Sequence, residues 1–185
     1  CSAGPAFEGG DISCGMRATD GAIEACTIYK ETMEPSFTVV GDPGQKPIGL
    51  CGSGIIDVIS ELFSAGIINP KGKFVREGER IHRDKYGMGS YVLAFQKDAG
   101  AEKDVEITEV DIDNFIRAKG AIFSAIRTML NSLEFDVSMI EEVYVAGGIG
   151  SGINMKNAVN IGMFPDIPLE KFHYIGNSSL SGAYT

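Results

Sequence analysis

The sequence predicts an α/β fold, a mixed sheet with flanking helices in which part of the strand pairing is parallel. Two kinds of periodicity support this prediction. Runs of β-branched and apolar residues typical of strands occur at 37–41, 142–146 and 172–175. Apolar residues at helical spacing occur between these runs, over 52–66 and 108–133. Strands that alternate with helices favour parallel neighbours, because the helix returns the chain to the starting edge of the sheet.

Composition and charge limit the partners that we expect. The 185 residues are 44% hydrophobic and 22% charged, and they suffice for one domain. The net charge of −9 argues against binding to nucleic acid or to anionic membrane surfaces. No apolar run approaches the roughly 20 residues that span a bilayer. We therefore expect a single domain over 1–185 with neither nucleic acid nor a membrane as its partner.

The cysteines and the first residue set expectations about compartment and extent. The four cysteines are dispersed, none forms a CxxC pair, and the chain has two histidines. This pattern predicts reduced thiols in the cytoplasm, with no zinc or iron–sulfur site built within this chain. The chain starts at Cys1 without a signal-peptide pattern, so we expect further protein upstream.

The N-terminal third contains turns and one clear strand. Residues 1–11 are a glycine-rich turn region, and we expect residues 12–29 to be irregular strand and loop. Residues 37–41 form a β-branched strand, and the DPGQKP that follows is typical of a turn.

The first helix is predicted from Gly52 to Gly66. Ser53 is the expected N-cap, and Gly66 is the expected residue just past the helix end. Its isoleucines, Leu62 and Phe63 share one apolar face. The opposite, polar face is expected to carry Asp57, Ser60, Glu61 and Ser64.

A polar excursion and a long helix follow. Residues 71–104 are rich in Gly and Lys around one strand, Ser90–Phe95, and we interpret them as a surface hairpin excursion. Thr108 and Asp111 resemble a capping box with Asp in place of Glu. The helix that they open is expected to continue to about Leu133.

The C-terminal part repeats the strand–helix alternation. Ser138–Glu141 is a second expected capping box, opening a single turn, and Glu142–Ala146 is a short strand. A helix is expected from about Ser151 to Met163. It is followed by a strand over Phe172–Ile175 and a turn of small residues over Gly176–Ser179.

The strongest signal for a binding site is the strand that runs into Gly147, Gly148 and Gly150 and then into a helix. Glycines there allow a positive φ and let a ligand approach the backbone without a Cβ clash. Oriented N–H groups at a helix start favour phosphate. The alternative is a tight strand-to-helix connection that binds no ligand.

A second glycine-rich helix start comprises Gly52, Ser53 and Gly54. It lacks the GKS or GKT of a P-loop and the spacing of a Rossmann fingerprint. The alternative to a ligand-binding role is an N-cap with close helix packing.

The N-terminal turn, with Ser2, Ala3, Gly4 and Glu8, is a third candidate segment. Its glycines and single carboxylate suit a phosphate or a magnesium shell. The alternative is a structural turn with a solvated Glu8.

Lys119 is the fourth candidate, because it lies in the apolar stripe of the long helix, four residues after Phe115 and three before Ile122. Burying a lysine there is costly unless its ammonium is paired. The small neighbours would let a nucleotide phosphate or ribose pack closely. The alternative is a structural partner such as a buried carboxylate.

No nucleophile–base pair is evident, and no catalytic residue or metal ligand is assigned. Taken together, the four signals favour a nucleotide binder over a hydrolase of carbon substrates.

Six segments in the chain together resemble one family. They are SAGPAFEGG (2–10), GMRATDGAIE (15–24), GLCGSGIIDVISELFSAGII (49–68), AKGAI (118–122), VYVAGGIG (143–150) and IGMFPDIPLEKFHYIGNSSLSGA (161–183). In this order they resemble the C-terminal region of the reductive activators of corrinoid proteins. These belong to the actin/hexokinase/heat-shock-chaperone ATPase superfamily.

The resemblance implies a ribonuclease-H-like ATPase lobe, the second half of a duplicated actin-like fold. It implies ATP and magnesium as cofactors, with hydrolysis driving an electron from an iron–sulfur cluster to cob(II)alamin in a partner corrinoid protein. Gly147–Gly150 match the adenosine motif, and Ser2–Glu8 with Gly52–Gly54 resemble loops facing phosphates or ribose. A homodimer is left open.

Some family features are not in this chain. The aspartate-bearing phosphate hairpins and the cluster cysteines are expected in an upstream lobe and an upstream iron–sulfur domain. Ile149 stands where an aromatic residue is expected, and GNSSLSGA has serines where alanines are commoner. The alternatives are a small-molecule kinase of the same superfamily and a non-catalytic actin-like assembly protein.

Overall fold

The computed structural model describes residue 6, residues 10–147 and residues 152–183, and it confirms the α/β class. The described residues form eight strands and four helices. The strands are β1 (Ala22–Ile28), β2 (Pro35–Val39), β3 (Gly49–Leu50), β4 (Ile81–Arg83), β5 (Gly89–Ala94), β6 (Val105–Thr108), β7 (Val143–Val145) and β8 (Phe172–Tyr174). The helices are α1 (Gly52–Ser64), α2 (Glu109–Ser132), α3 (Met155–Asn160) and α4 (Ser178–Ala183).

The strands form three small sheets. In the first, β1 is central, antiparallel to β2 and parallel to β3. In the second, β5 is central and antiparallel to both β4 and β6. In the third, β7 and β8 are parallel. The mixture of parallel and antiparallel pairs agrees with the expected mixed pairing.

The irregular strand and loop expected over 12–29 are confirmed, with β1 as the strand. This seven-residue strand has an irregularity in its register between Ile23 and Ala25. The shift breaks the strict alternation of buried and exposed residues, so Ala22 and Ile23 are both buried. The usual period-2 signal of a strand is therefore weak in this segment. The next strand, predicted at 37–41, is β2 and begins two residues earlier.

Helix α1 confirms the first predicted helix but not its cap. Gly66 follows the helix with φ 66°, as expected for the residue just past the end. Cys51, rather than Ser53, is the N-cap, and no side chain caps the helix. The expected polar face was also partly wrong, because Asp57 and Ser60 are buried.

The region expected to be a surface hairpin, over 71–104, contains a fully buried strand. All six residues of β5 are buried between β4 and β6, and Tyr91 and Leu93 enter the main core with Ile107. The two flanking strands were missed because they have only three and four residues. Strands this short have too few alternations to show a period.

Helix α2 confirms its predicted capping box. The Thr108 side chain accepts from the Asp111 N–H, and the Asp111 side chain accepts from the Thr108 N–H at 2.9 Å. Asp111 also accepts from the backbone and hydroxyl of Ser13, which ties the N-terminal segment to the helix start. The second expected box is instead a single turn over Val137–Met139, capped by Asp136 rather than Ser138.

The C-terminal strands are confirmed and the helices are corrected. Strands β7 and β8 lie within their predicted ranges. Helix α3 is shorter than the expected 151–163, because Asn154 caps it by accepting from the Asn157 N–H at 3.3 Å. Helix α4 begins inside the expected turn, at Ser178.

Candidate functional site

The structure describes part of the predicted site. Gly52, Ser53, Gly54, Lys119 and Gly147 are described. The other predicted site residues lie outside the described residues; these are Ser2, Ala3, Gly4, Glu8, Gly148 and Gly150. The geometry of the site is therefore built from α1, the end of β7, and the segment that leads into α3.

Gly147 lies two residues after the end of β7 and has a backbone conformation that favours glycine. Its φ is 107°, and a Cβ built on it would meet none of the described residues within 4 Å. Its N–H donates to the Gly176 carbonyl at 2.9 Å, and its own carbonyl accepts from the Tyr174 hydroxyl at 2.8 Å. The turn is thus anchored to the end of β8 while the Cβ side stays open, which fits close approach of a ligand to the backbone.

The start of α1 lies against the segment that follows Gly147–Gly150. A Cβ built on Gly152 would lie 3.0 Å from the Ser53 Oγ and 3.3 Å from the Ser53 Cβ. Ser53 is buried, and its hydroxyl shares a hydrogen bond with the Cys51 Sγ at 3.3 Å. The start of α1 therefore lies beside Gly152, which follows the Gly147–Gly150 segment in the chain.

Gly54 has a structural reason to be glycine. A Cβ built on it would lie 2.1 Å from the Ile23 carbonyl oxygen and 2.9 Å from the Ile23 carbonyl carbon. Both atoms are backbone atoms of β1 and cannot move without the strand. Close packing of α1 on β1 is therefore one reason why position 54 requires glycine.

Helices α1 and α3 share a polar contact that the sequence did not reveal. The Asn157 side-chain amide donates to Asp57 at 2.8 Å, and both residues are buried. The Asn160 amide donates to Ser64 at 3.0 Å and to Ser60 at 3.4 Å. Burial raises the pKa of the Asp57 carboxyl, and the hydrogen bond from Asn157 opposes this shift. The available signal was the spacing of Ser53, Asp57, Ser60 and Ser64, which places small polar side chains on one helix face.

Lys119 contacts the C-terminal end of α3. Its Nζ donates to the carbonyl of Ile161, the residue at the C-terminal end of α3, and burial lowers its pKa. Gly152 lies at the other end of that helix. The structural partner is thus a backbone carbonyl, and among the described residues no carboxylate forms an ion pair with Lys119. Its side chain also lines a cavity of about 280 Å³ with apolar residues of α1 and α2.

The described cysteines are buried or half-buried free thiols. Burial, with smaller contributions from Asp57 and Glu61, raises the pKa of Cys26 to about 12. Burial and the Asp111 carboxylate raise the pKa of Cys14 to about 12. Because the thiolate is the reactive and metal-binding form, these two thiols are poor nucleophiles and ligands at neutral pH.

The whole chain matches one family model. Residues 1–185 match the family described as the C-terminal domain of RACo, the ASKHA domain. None of the helices in the described part of the chain combines the length and apolar character that crossing a membrane requires.

The chain is similar to curated proteins and to a solved structure. It is 33% identical over 191 residues to the corrinoid activation enzyme RamQ of Eubacterium limosum, covering 97% of this chain and 31% of that protein. It is 28% identical over 200 residues to a [Co(II) methylated amine-specific corrinoid protein] reductase of Methanosarcina barkeri, covering 97% of this chain and 33% of that protein.

The solved structure is a reductive activator for corrinoid, iron–sulfur protein. The two chains are 48% identical with a TM-score of 0.90, and the match covers 99% of this chain and 29% of that one. The chain therefore spans about a third of the length of each of these proteins. The expected actin-like class is confirmed, since the fold is that of an ASKHA domain.

Proposed function

The chain belongs to the family of C-terminal ASKHA domains of RACo, and from this we infer that it is part of an ATP-dependent reductive activator of corrinoid proteins. The observation that carries the inference is the family match along all 185 residues. The names of the relatives agree with it, since one is a corrinoid activation enzyme and another a corrinoid protein reductase. In this proposal, hydrolysis of ATP drives an electron from an iron–sulfur cluster to cob(II)alamin in a cytoplasmic corrinoid protein.

An ASKHA domain implies nucleotide binding. We propose that Gly147, Gly148 and Gly150 lie against the adenosine. The open Cβ side and positive φ of Gly147 support this assignment. When bound, MgATP supplies the phosphoanhydride bond whose hydrolysis makes the uphill electron transfer favourable.

The second part of the proposed nucleotide site faces the phosphates or ribose. It comprises Ser2, Ala3, Gly4, Glu8, Gly52, Ser53 and Gly54. The proximity of Ser53 to Gly152 supports this part of the site. Because of it, the start of α1 lies beside the segment that follows the glycines proposed to contact the adenosine. Gly54 contributes by letting α1 pack closely on β1, which holds the helix start in place.

We propose that the functional protein is longer than this chain, with the phosphate hairpins and the cluster in the additional part. Exposed apolar side chains at the C-terminal end of α2 and beyond support this proposal, since an interface would cover them. They are Met129, Leu133, Phe135 and Met139, each at least 53% exposed.

The extent of the functional unit can be tested by comparing the 185-residue piece with the longer protein. We expect the piece to be colourless, to bind nucleotide weakly and to show no ATPase activity above background. Magnesium-dependent phosphoryl transfer needs placed carboxylates, and electron transfer needs a redox centre. The longer protein should show iron–sulfur absorbance and an ATP turnover that the corrinoid partner stimulates. Robust turnover by the isolated piece would contradict the proposed site.

Lys119 is a further proposed nucleotide contact, and its substitution separates two roles. The ammonium has three donor hydrogens and gives one to Ile161, so two remain for a ligand. In the longer protein, we expect Lys119→Met to weaken MgATP binding at least threefold and to change the free energy of unfolding by less than about 1 kcal/mol. Isothermal titration calorimetry and urea denaturation measure the two quantities.

Arg117→Met is the matched control for Lys119→Met. Arg117 is an exposed residue of α2 paired with Asp113, and its loss should alter neither quantity appreciably. A large loss of stability in Lys119→Met, with unchanged MgATP affinity, would assign Lys119 to capping α3 alone.

A further inference from the structure

Helices α1 and α3 meet through one face of small polar side chains, which we call the α1–α3 polar interface. On α1 its members are spaced four, three and four residues apart, so they lie on one side of the helix. The interface comprises Ser53, Asp57, Ser60 and Ser64 on α1, with Gly152, Asn157 and Asn160 on or before α3.

Asp57 joins three elements at this interface. One carboxylate oxygen accepts from the Asn157 amide at 2.8 Å, and the other accepts from the Cys26 N–H of β1 at 3.3 Å. One turn later on α1, the Glu61 carboxylate accepts from the Ile28 N–H at 3.0 Å. Asp57 therefore connects α1, α3 and the central strand of the first sheet.

The spacing of these contacts explains why α1 is fixed in register on β1. Four residues of an α-helix rise about 6.0 Å, and two residues of a strand rise about 6.6–6.8 Å. Carboxylates four apart on α1 can therefore reach N–H groups two apart on β1, as Asp57 and Glu61 do. A slip of α1 along β1 would break both bonds at once.

The position of Asp57 links this register to the proposed nucleotide site. Asp57 lies one turn after Gly54, and Asn157 lies five residues after Gly152, which lies beside Ser53. The bond between Asp57 and Asn157 thus cross-links the two helices close to the start of α1 and to the segment at Gly152. The bonds of Asn160 to α1 lie farther along the same interface.

A buried carboxylate is a costly way to join two helices. Burial raises the pKa of Asp57, which shows that its charged form is disfavoured there. Apolar residues of similar size often stabilise such an interface at least as well. A carboxylate that accepts two directed hydrogen bonds instead fixes the geometry between the elements that it joins, here α1, α3 and β1.

We propose that Asp57 and Asn157 are positioning residues that hold the start of α1 against the segment at Gly152, which follows the glycines proposed to lie against the adenosine. The inference rests on the proposed nucleotide site. In this role, the two residues affect nucleotide binding by positioning the glycine segments, and they do not contact the nucleotide themselves.

The test uses MgATP titrations of the longer protein and begins with the unaltered protein. Asn157→Asp places a second carboxylate against Asp57, and we expect the Kd for MgATP to rise at least tenfold. Combining it with Asp57→Asn reverses the hydrogen bond, because the new amide can donate to the new carboxylate and still accept from the Cys26 N–H. The double variant should return to within threefold of the original Kd.

Asn160→Ala is the matched control, since it removes side-chain bonds between the same two helices. We expect it to lose some stability while its Kd stays within twofold of the original. Circular dichroism at the titration temperature establishes that each variant is folded. If Asn157→Asp does not fold, Asn157→Ala replaces it, with the same expected rise in Kd.

The outcomes separate the inference from the proposed function. If the unaltered longer protein does not bind MgATP, the proposed function fails. If it binds, and folded Asn157→Asp or Asn157→Ala binds equally well, the positioning role is overturned. Equal losses of affinity in the Asn157 and Asn160 variants would also overturn it, since they would indicate a general effect of helix packing.

Discussion

Replacing Gly54 by alanine is expected to lower the free energy of unfolding by at least about 3 kcal/mol, the upper range for overpacking a core. The added Cβ would lie 2.1 Å from the Ile23 carbonyl oxygen. The Cβ is fixed to the backbone of α1, and the oxygen belongs to the backbone of β1. The clash can therefore be relieved only if α1 moves away from β1. That movement would disturb a core that includes Ile23, Ile55 and Val58. Urea denaturation followed by circular dichroism measures the loss.

Gly120→Ala is the control for this prediction. Gly120 lies inside α2, and a Cβ there would meet nothing within 4 Å. Alanine is the better helix former, so this variant should gain about 0.5–1 kcal/mol. If Gly54→Ala were as well tolerated as Gly120→Ala, the close approach of α1 to β1 would be contradicted.

Replacing Gly148 by valine is expected to raise the Kd for MgATP at least tenfold in the longer protein, which corresponds to about 1.4 kcal/mol. A β-branched side chain would stand where the backbone is proposed to approach the adenosine. Titration calorimetry on the folded variant measures the change. Unchanged affinity in folded Gly148→Val would remove this segment from the site.

The sequence predicted the elements whose signals are local. Helix α2 was predicted because a long apolar stripe and a capping box both depend on residues near one another in the chain. The end of α1 was predicted because Gly66 supplies the positive φ that ends a helix. The parallel pairing of β7 with β8 agrees with the expectation of some parallel pairing, which rested on the alternation of strands with helices.

Features that depend on distant partners were missed. The bounds of strand β1 were not predicted, because only its pairing with β2 reveals the register shift that interrupts its alternation. Asp57 was expected on a solvent-facing side of α1 because no local feature predicts that Asn157, one hundred residues later, covers it. The cap of α1 was misplaced because Ser53 is a residue type that favours caps, although here it is buried inside the helix.

The sequence predicted which segments contribute to the candidate site, but not how their residues are arranged in space. Glycine patterns identified the start of α1 and the end of β7, and the structure brings Ser53 beside Gly152. The same patterns could not show that Gly54 packs on Ile23, since packing and ligand approach both require a missing Cβ. Lys119 was identified by its place in an apolar stripe, which predicts that it has a partner but not which one.

The central claim is that this chain contributes to ATP-driven reduction of a corrinoid protein. It is tested most directly by following the absorbance of the corrinoid cofactor in a mixture of the longer protein, a corrinoid protein in the cob(II)alamin state and a reductant. We predict that cob(I)alamin appears only after MgATP is added, and that Gly148→Val needs at least tenfold more MgATP for the half-maximal rate. Cobalamin reduction at the same rate without nucleotide, or none with it, would contradict the account.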